Sequence, residues 1–183
     1  MASDTRTSLT DPLEERHSIE ERGLQLAREL GIEERSFQVA SNLHWTYTLM
    51  RTLFERGPLK TEQLSMSGFT ALWALRVSGE MEGREVAAEV GIARSSFSGL
   101  ANRLEQRGFI RRRPSPDDGR AVLFSLTETG RVVLERVWPR LNLSERDLSD
   151  HLGPHGQQEL ADLLRSVADQ LIELLQDDPP SDA

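Results

Sequence analysis

Residues 84–130 read REVAAEVGIARSSFSGLANRLEQRGFIRRRPSPDDGRAVLFSLTETG. Residues 84–90 read as a short helix with Val86, Ala87 and Val90 on one face; Gly91 ends it, and Ile92 resumes the apolar contact. A second helix follows at once. In it Phe97, Leu100, Ala101 and Leu104 fall at i, i+3, i+4 and i+7 and make the buried stripe, while Ser95, Ser98, Gly99 and Asn102 occupy the opposite side. Two helices joined through a glycine turn let the second lie in a DNA major groove while the first braces it, and a small polar outer face permits close approach to base edges. Gly108 closes the second helix. Residues 109–113 then mix apolar and basic side chains as a strand does, 114–119 (PSPDDG) form a turn, and 121–126 return as a second strand. The expectation is a β-hairpin whose arms carry three consecutive arginines and whose tip carries Arg120.

Charge supports a polyanionic partner only locally. The 183 residues carry a net charge of -8, yet residues 94–120 hold seven arginines (94, 103, 107, 111, 112, 113, 120) against Glu105, Asp117 and Asp118. Such segregation concentrates attraction for phosphates on one surface while the rest repels DNA; the alternative is a solvated charged face. Cysteine is absent, which excludes disulfides and thiol switching. The sequence offers no apolar run long enough for a membrane span, and its first residues are polar and acidic, unlike an export signal; a cytoplasmic protein is expected.

Outward from the core, residues 1–17 lack periodicity and read as a mobile tail. Ile19, Leu24, Leu26, Ala27 and Leu30 indicate a short helix closed by Gly31, and Phe37, Ala40, Leu43, Tyr47, Met50 and Phe54 mark a long amphipathic helix ending at Gly57-Pro58. Another helix begins near Ser67 and stops near Ser78-Gly79. Beyond Thr127, a helix N-cap by type, Val133, Leu134, Val137, Trp138 and Leu141 form a stripe that Pro139 is expected to bend. After a break at Gly153-Pro154, Leu160, Leu164, Val167, Leu171 and Leu174 alternate steps of four and three, broadened by Leu163 and Leu175. So wide a stripe reads as either an internal core or a partner surface.

Read as one string, residues 84–130 resemble the winged helix-turn-helix core of the MarR family: Leu104, Glu105, Gly108, Phe109, Ile110 and Arg112, then Asp118 and Arg120, then Leu126, Thr127 and Gly130 match its recurring pieces in order and spacing. The resemblance extends to about residues 36–176. It implies a mainly α protein with a small β-hairpin wing: N-terminal helices over 18–57 contributing to dimerisation, a winged helix-turn-helix domain over 58–130, C-terminal dimerisation helices over 131–176 and a flexible tail over 177–183. It further implies a regulator, most simply a repressor, that grips a pseudo-palindromic operator on double-stranded DNA as a homodimer. The helix from Arg94 then reads the major groove and the Arg120 loop enters the minor groove.

On that frame, Arg94 and Ser96 stand at a helix N-terminus that favours phosphate. Ser95, Ser98, Asn102 and Arg103 are placed to reach base edges, Asn favouring adenine and Arg guanine; for Arg103 a salt bridge to a neighbouring acid is the competing reading. Arg112 and Arg113 meet phosphates, and Asp118 orients Arg120. Two departures stand out. Ala93 precedes the recognition helix where relatives place a capping Ser or Thr, leaving the cap to Ser95 or Ser96, and Gly99 stands where a longer side chain is common.

Family members release DNA when a small, often aromatic or anionic, effector enters a crevice; His44, Trp45, Arg51, Trp73 and Arg76 are the candidates for it here, with core packing the competing reading for both tryptophans. His151 and His155 are separated by Gly153-Pro154 and make no common helical face for a metal. The sequence contains no phosphate loop, no Gly-x-Ser-x-Gly and no scaffolded carboxylate pair, so neither catalysis nor a cofactor is expected. Two other classes stay open: a winged helix used for protein contacts without specific DNA binding, and a helical enzyme or ligand-storage protein.

Overall fold

The computed structural model describes residues 11–116 and 121–177. The chain divides into two compact units between Thr52 and Leu53. The first holds helix α1 (Pro12–Glu29) and most of α2 (Glu34–Arg56). Helix α1 starts six residues earlier than the boundary expected at 18. Its start is set by Asp11, whose side chain accepts from the Leu13 N–H at 2.9 Å, and by Pro12, which has no N–H to leave unpaired. A polar seam joins the two helices: Arg16 donates to Asn42 Oδ1 at 2.9 Å, Asn42 Nδ2 donates to Glu20 at 3.2 Å, and the Arg16 guanidinium lies 5.2 Å above the Trp45 ring. Among the described residues of this unit only Ala27 is buried, and Leu13, Leu26, Leu30, Val39, Tyr47 and Leu49 are exposed.

The second unit is built around α3 (Met66–Ser78), opened by Ser65, whose hydroxyl accepts from the Gly68 N–H at 3.1 Å. This helix buries Gly68, Phe69, Ala71, Leu72, Ala74 and Leu75, so it is apolar nearly all round, as a central helix must be. Around it follow β1 (Met81–Glu82), α4 (Gly83–Val90), α5 (Arg94–Gln106), β2 (Ile110–Pro114), β3 (Val122–Leu126), α6 (Glu128–Ser149) and α7 (Gly153–Asp177). The sheet is antiparallel in the order β1-β3-β2, with Ile110 opposite Leu126, Arg112 opposite Phe124 and Met81 also opposite Phe124. The sequence predicted only the hairpin; β1 adds a third strand. Leu59, Leu72, Val86, Leu134, Val137 and Leu141 are fully buried. The α4–α5 turn needs Gly91, which sits at φ 70° and donates to the Ala88 carbonyl at 3.0 Å. Phe97 of α5 meets Phe124 of β3 edge to face, centroids 5.2 Å apart, fastening the helix to the wing.

Helix α6 opens on Thr127, whose hydroxyl accepts from the Gly130 N–H at 3.0 Å and donates to the Gly108 carbonyl at 2.5 Å, with the Phe109 carbonyl 3.0 Å away. The helix then runs unbroken through Pro139. On α7, Leu160, Leu163, Leu164, Leu171, Leu174 and Leu175 are all exposed. No helix among the described residues is long and apolar enough to cross a membrane.

Candidate nucleic-acid interface

The outward side of α5 presents Arg94, Ser95, Ser96, Ser98, Asn102 and Arg103, all exposed, while Phe97, Leu100, Ala101 and Leu104 are buried beneath them. Neither Ser95 nor Ser96 supplies the missing cap: Ala93 holds the N-cap position and no side chain bonds there, so the first-turn N–H groups face outward. Ser98 turns its hydroxyl to the Arg94 carbonyl at 3.3 Å. Arg94 and Arg103 make no ion pair among the described residues, which removes the salt-bridge reading of Arg103. Gly99 lies beneath that guanidinium, a Cβ there meeting only Arg103 Nη1 at 3.7 Å. Alanine at 99 therefore fits, and Gly99→Ala is expected to gain about 1 kcal/mol of helix stability and raise the thermal midpoint by roughly 2–4 °C; a lower midpoint would show the site to be tighter than this.

The wing arginines are already engaged. Arg112 donates through Nη2 to Asn102 Oδ1 at 2.6 Å and to Glu105, and Arg113 grips Glu80 with both Nε, at 2.9 Å, and Nη2. The hydrogen bonds from Arg113 and Arg112 hold the Glu80 and Glu105 carboxyls below the usual carboxylate range. These residues expected at DNA therefore have partners within the chain itself. The arginines expected on phosphates hold acids of their own chain, and Asn102, expected to pair with adenine through both ends of its amide, has its oxygen taken and presents only its N–H groups. Of the other basic residues, Arg111 donates to Ser125 Oγ at 3.0 Å; Arg107 donates to the carbonyls of Glu62, at 2.5 Å, and Gln63, at 3.0 Å, with its guanidinium 4.4 Å from the Phe109 ring centroid, a structural role. Asp118 and Arg120 lie outside the described residues.

Sequence reasoning missed Arg84 and Glu80. Arg84 pairs with Glu82 at 2.9 Å and lines, with Arg94, Ser98 and Arg112, a crevice of about 360 Å³ between the start of α5 and the wing. The signal was weak because these residues precede the arginine-rich run. The effector candidates are divided. His44, Trp45 and Arg51 belong to the first unit, where His44 and Arg51 are exposed and Trp45 is half-buried under Arg16. In the second, Trp73 lines a cavity with Trp138, whereas Arg76 is exposed and sits with Leu126 and Arg131 at a different one.

The MarR family model matches residues 64–122. The HTH-type transcriptional regulator YwaE of Bacillus subtilis is 32% identical over 136 residues, spanning 74% of this chain and 80% of the relative. Among solved structures, the MarR family regulator Sco3205 of Streptomyces coelicolor in complex with DNA superposes with a TM-score of 0.68 at 28% identity, covering 76% of this chain and 89% of that one. BpsR of Bordetella bronchiseptica, whose DNA binding is regulated by 6-hydroxynicotinic acid, superposes at 0.66 with 26% identity, covering 72% and 98%.

Proposed function

The chain belongs to the MarR family of transcription regulators, and from that membership we propose that it is a cytoplasmic repressor holding a pseudo-palindromic operator as a homodimer. The observation that carries this reading is the α5 surface: a small polar face, an uncapped N-terminus and two unpaired arginines, flanked by a basic wing. Arg94, Ser96 and the free N–H groups then take phosphates, and Ser95, Asn102 and Arg103 meet base edges. The wing tip, with Asp118 and Arg120, enters the minor groove. Residues 58–130 form the DNA-binding domain, and the helices over 18–57 and 131–176 pair two copies, which sets half-sites about 34 Å apart. A compact dimer seated on a promoter blocks polymerase, and a small molecule releases it, as 6-hydroxynicotinic acid regulates BpsR.

The test is binding of purified protein to the DNA beside its own gene, against an unrelated duplex, over a range of salt, with the mass measured alongside. A dimer binding selectively, with affinity falling steeply as salt rises, is the expected result. Salt-insensitive association with a protein and no operator preference would favour the protein-contact reading instead.

If phosphates displace Glu80 and Glu105 from their arginines, removing those carboxylates helps DNA. Glu80→Gln is expected to tighten operator binding severalfold and steepen the plot of log K against log salt by about one. Unchanged affinity and slope would mean that Arg113 meets no phosphate.

A further inference from the structure

A second concave site lies in the second unit: a cavity of about 500 Å³ between α3 and α6, walled by Trp73, Trp138, Phe69 and Met66. Two of the protein's three tryptophans are spent here. Neither is buried as core aromatics are: Trp73 is half-buried and Trp138 is 42% exposed. The ionisable residue in the lining is Glu145. Its carboxylate accepts from Asn142 Nδ2 at 2.9 Å, makes no ion pair among the described residues, and is half-buried. Neither Arg76 nor Arg51, the cations expected to draw an anionic effector, contributes to the lining.

We propose that this cavity binds an aromatic or amphipathic organic cation, held by the faces of Trp73 and Trp138 and neutralised by Glu145. Indole faces attract a cation most strongly among aromatic side chains, and the attraction rises as the site sheds water. An unpaired carboxylate at the wall adds charge complementarity, and it repels an organic acid by the same interaction. The volume suits a drug-sized molecule of two to four rings. The assignment deepens the reading of the chain as an effector-released regulator and rests on it for its consequence, though not for the binding itself. Helix α6 begins at the wing's last strand and carries Trp138 and Glu145, so an occupant that reorients these side chains acts on the helix that continues directly from β3.

The test uses two probes of one shape and opposite charge, tetraphenylphosphonium and tetraphenylborate, titrated calorimetrically into the full chain without DNA. The phosphonium is expected to bind at least tenfold tighter than the borate. Glu145→Gln, an isosteric change at a side chain outside the buried core, is expected to erase that preference while the far-ultraviolet circular dichroism stays native, and Trp138→Ala to weaken the phosphonium at least fivefold. Equal or tighter binding of the borate, or a preference that survives Glu145→Gln, overturns the assignment. Operator release by the phosphonium is then measured separately: binding without release leaves the cation site standing and counts against effector control, whereas release without binding at this cavity places the effector elsewhere.

Discussion

Replacing Gly130 with alanine is expected to destabilise the protein by about 3 kcal/mol or more, at the upper end of what single core substitutions do. The glycine is buried in the first turn of α6, and its backbone is that of an ordinary helix, so the cost is steric. A Cβ at this position would lie 2.1 Å from the Phe109 carbonyl oxygen, 2.8 Å from Leu126 Cδ1 and 2.9 Å from the Phe109 carbonyl carbon. A flexible side chain could swing away, but the Phe109 carbonyl cannot. It accepts the Thr127 N–H at 3.0 Å while the Thr127 hydroxyl donates to the neighbouring Gly108 carbonyl at 2.5 Å, and that pair of bonds ties the loop after α5 to the start of α6. Relieving the clash therefore means breaking the joint between the reading helix and the long helix α6. For a chain of this size the thermal midpoint falls by roughly 6–12 °C, and the melt of Gly99→Ala, where a Cβ meets nothing closer than 3.7 Å, serves as the control. A Gly130→Ala protein melting within 2 °C of the parent would show that the joint gives way freely.

That glycine marks where sequence reading reaches and where it stops. The Leu-Thr-x-x-Gly run was legible as a helix opening, because a capping threonine has a chemical signature. The reason for the glycine was not, since the carbonyl it avoids comes from Phe109, 21 positions earlier. The stripe of Phe97, Leu100, Ala101 and Leu104 was readable in the same local way, and all four are buried. Strand β1 was illegible: two residues cannot display an alternation, and Met81 and Glu82 become a strand only because Phe124 and Leu123 lie opposite. At the interface, residue types on α5 were readable from helical spacing, but the engagement of the wing was not. Arg113 meets Glu80 across 33 positions and Arg112 meets Asn102 across 10, pairings that the sheet creates and no local pattern announces. A count of arginines therefore measured the charge of the wing and overstated how much of it stands free.

The proposed dimer makes the second large prediction, because its surface is the least satisfied part of the chain. Leu164 and Leu171 lie about two turns apart on one face of α7 and are 43% and 52% exposed, in company with Leu160 and Leu174. Leucines repeated along one helix face have no reason to remain in water, and a contiguous apolar patch of this kind marks an interaction surface. Each leucine buried on pairing contributes about 1.5–3 kcal/mol, and two-fold symmetry applies every substitution twice. The double change Leu164→Glu with Leu171→Glu is expected to leave the single chain folded, since neither side chain belongs to its core, and to yield a monomer in sedimentation. Operator affinity then falls by a factor of about 100 or more, as the second half-site contact ceases to be intramolecular, while affinity for an isolated half-site changes little. The contrast between whole operator and half-site separates this outcome from simple damage to α5, which would weaken both equally. A variant that stays dimeric and keeps its operator would mean that the α7 stripe serves some other partner, and that the exposed apolar side chains of α1 and α2 carry the pairing alone.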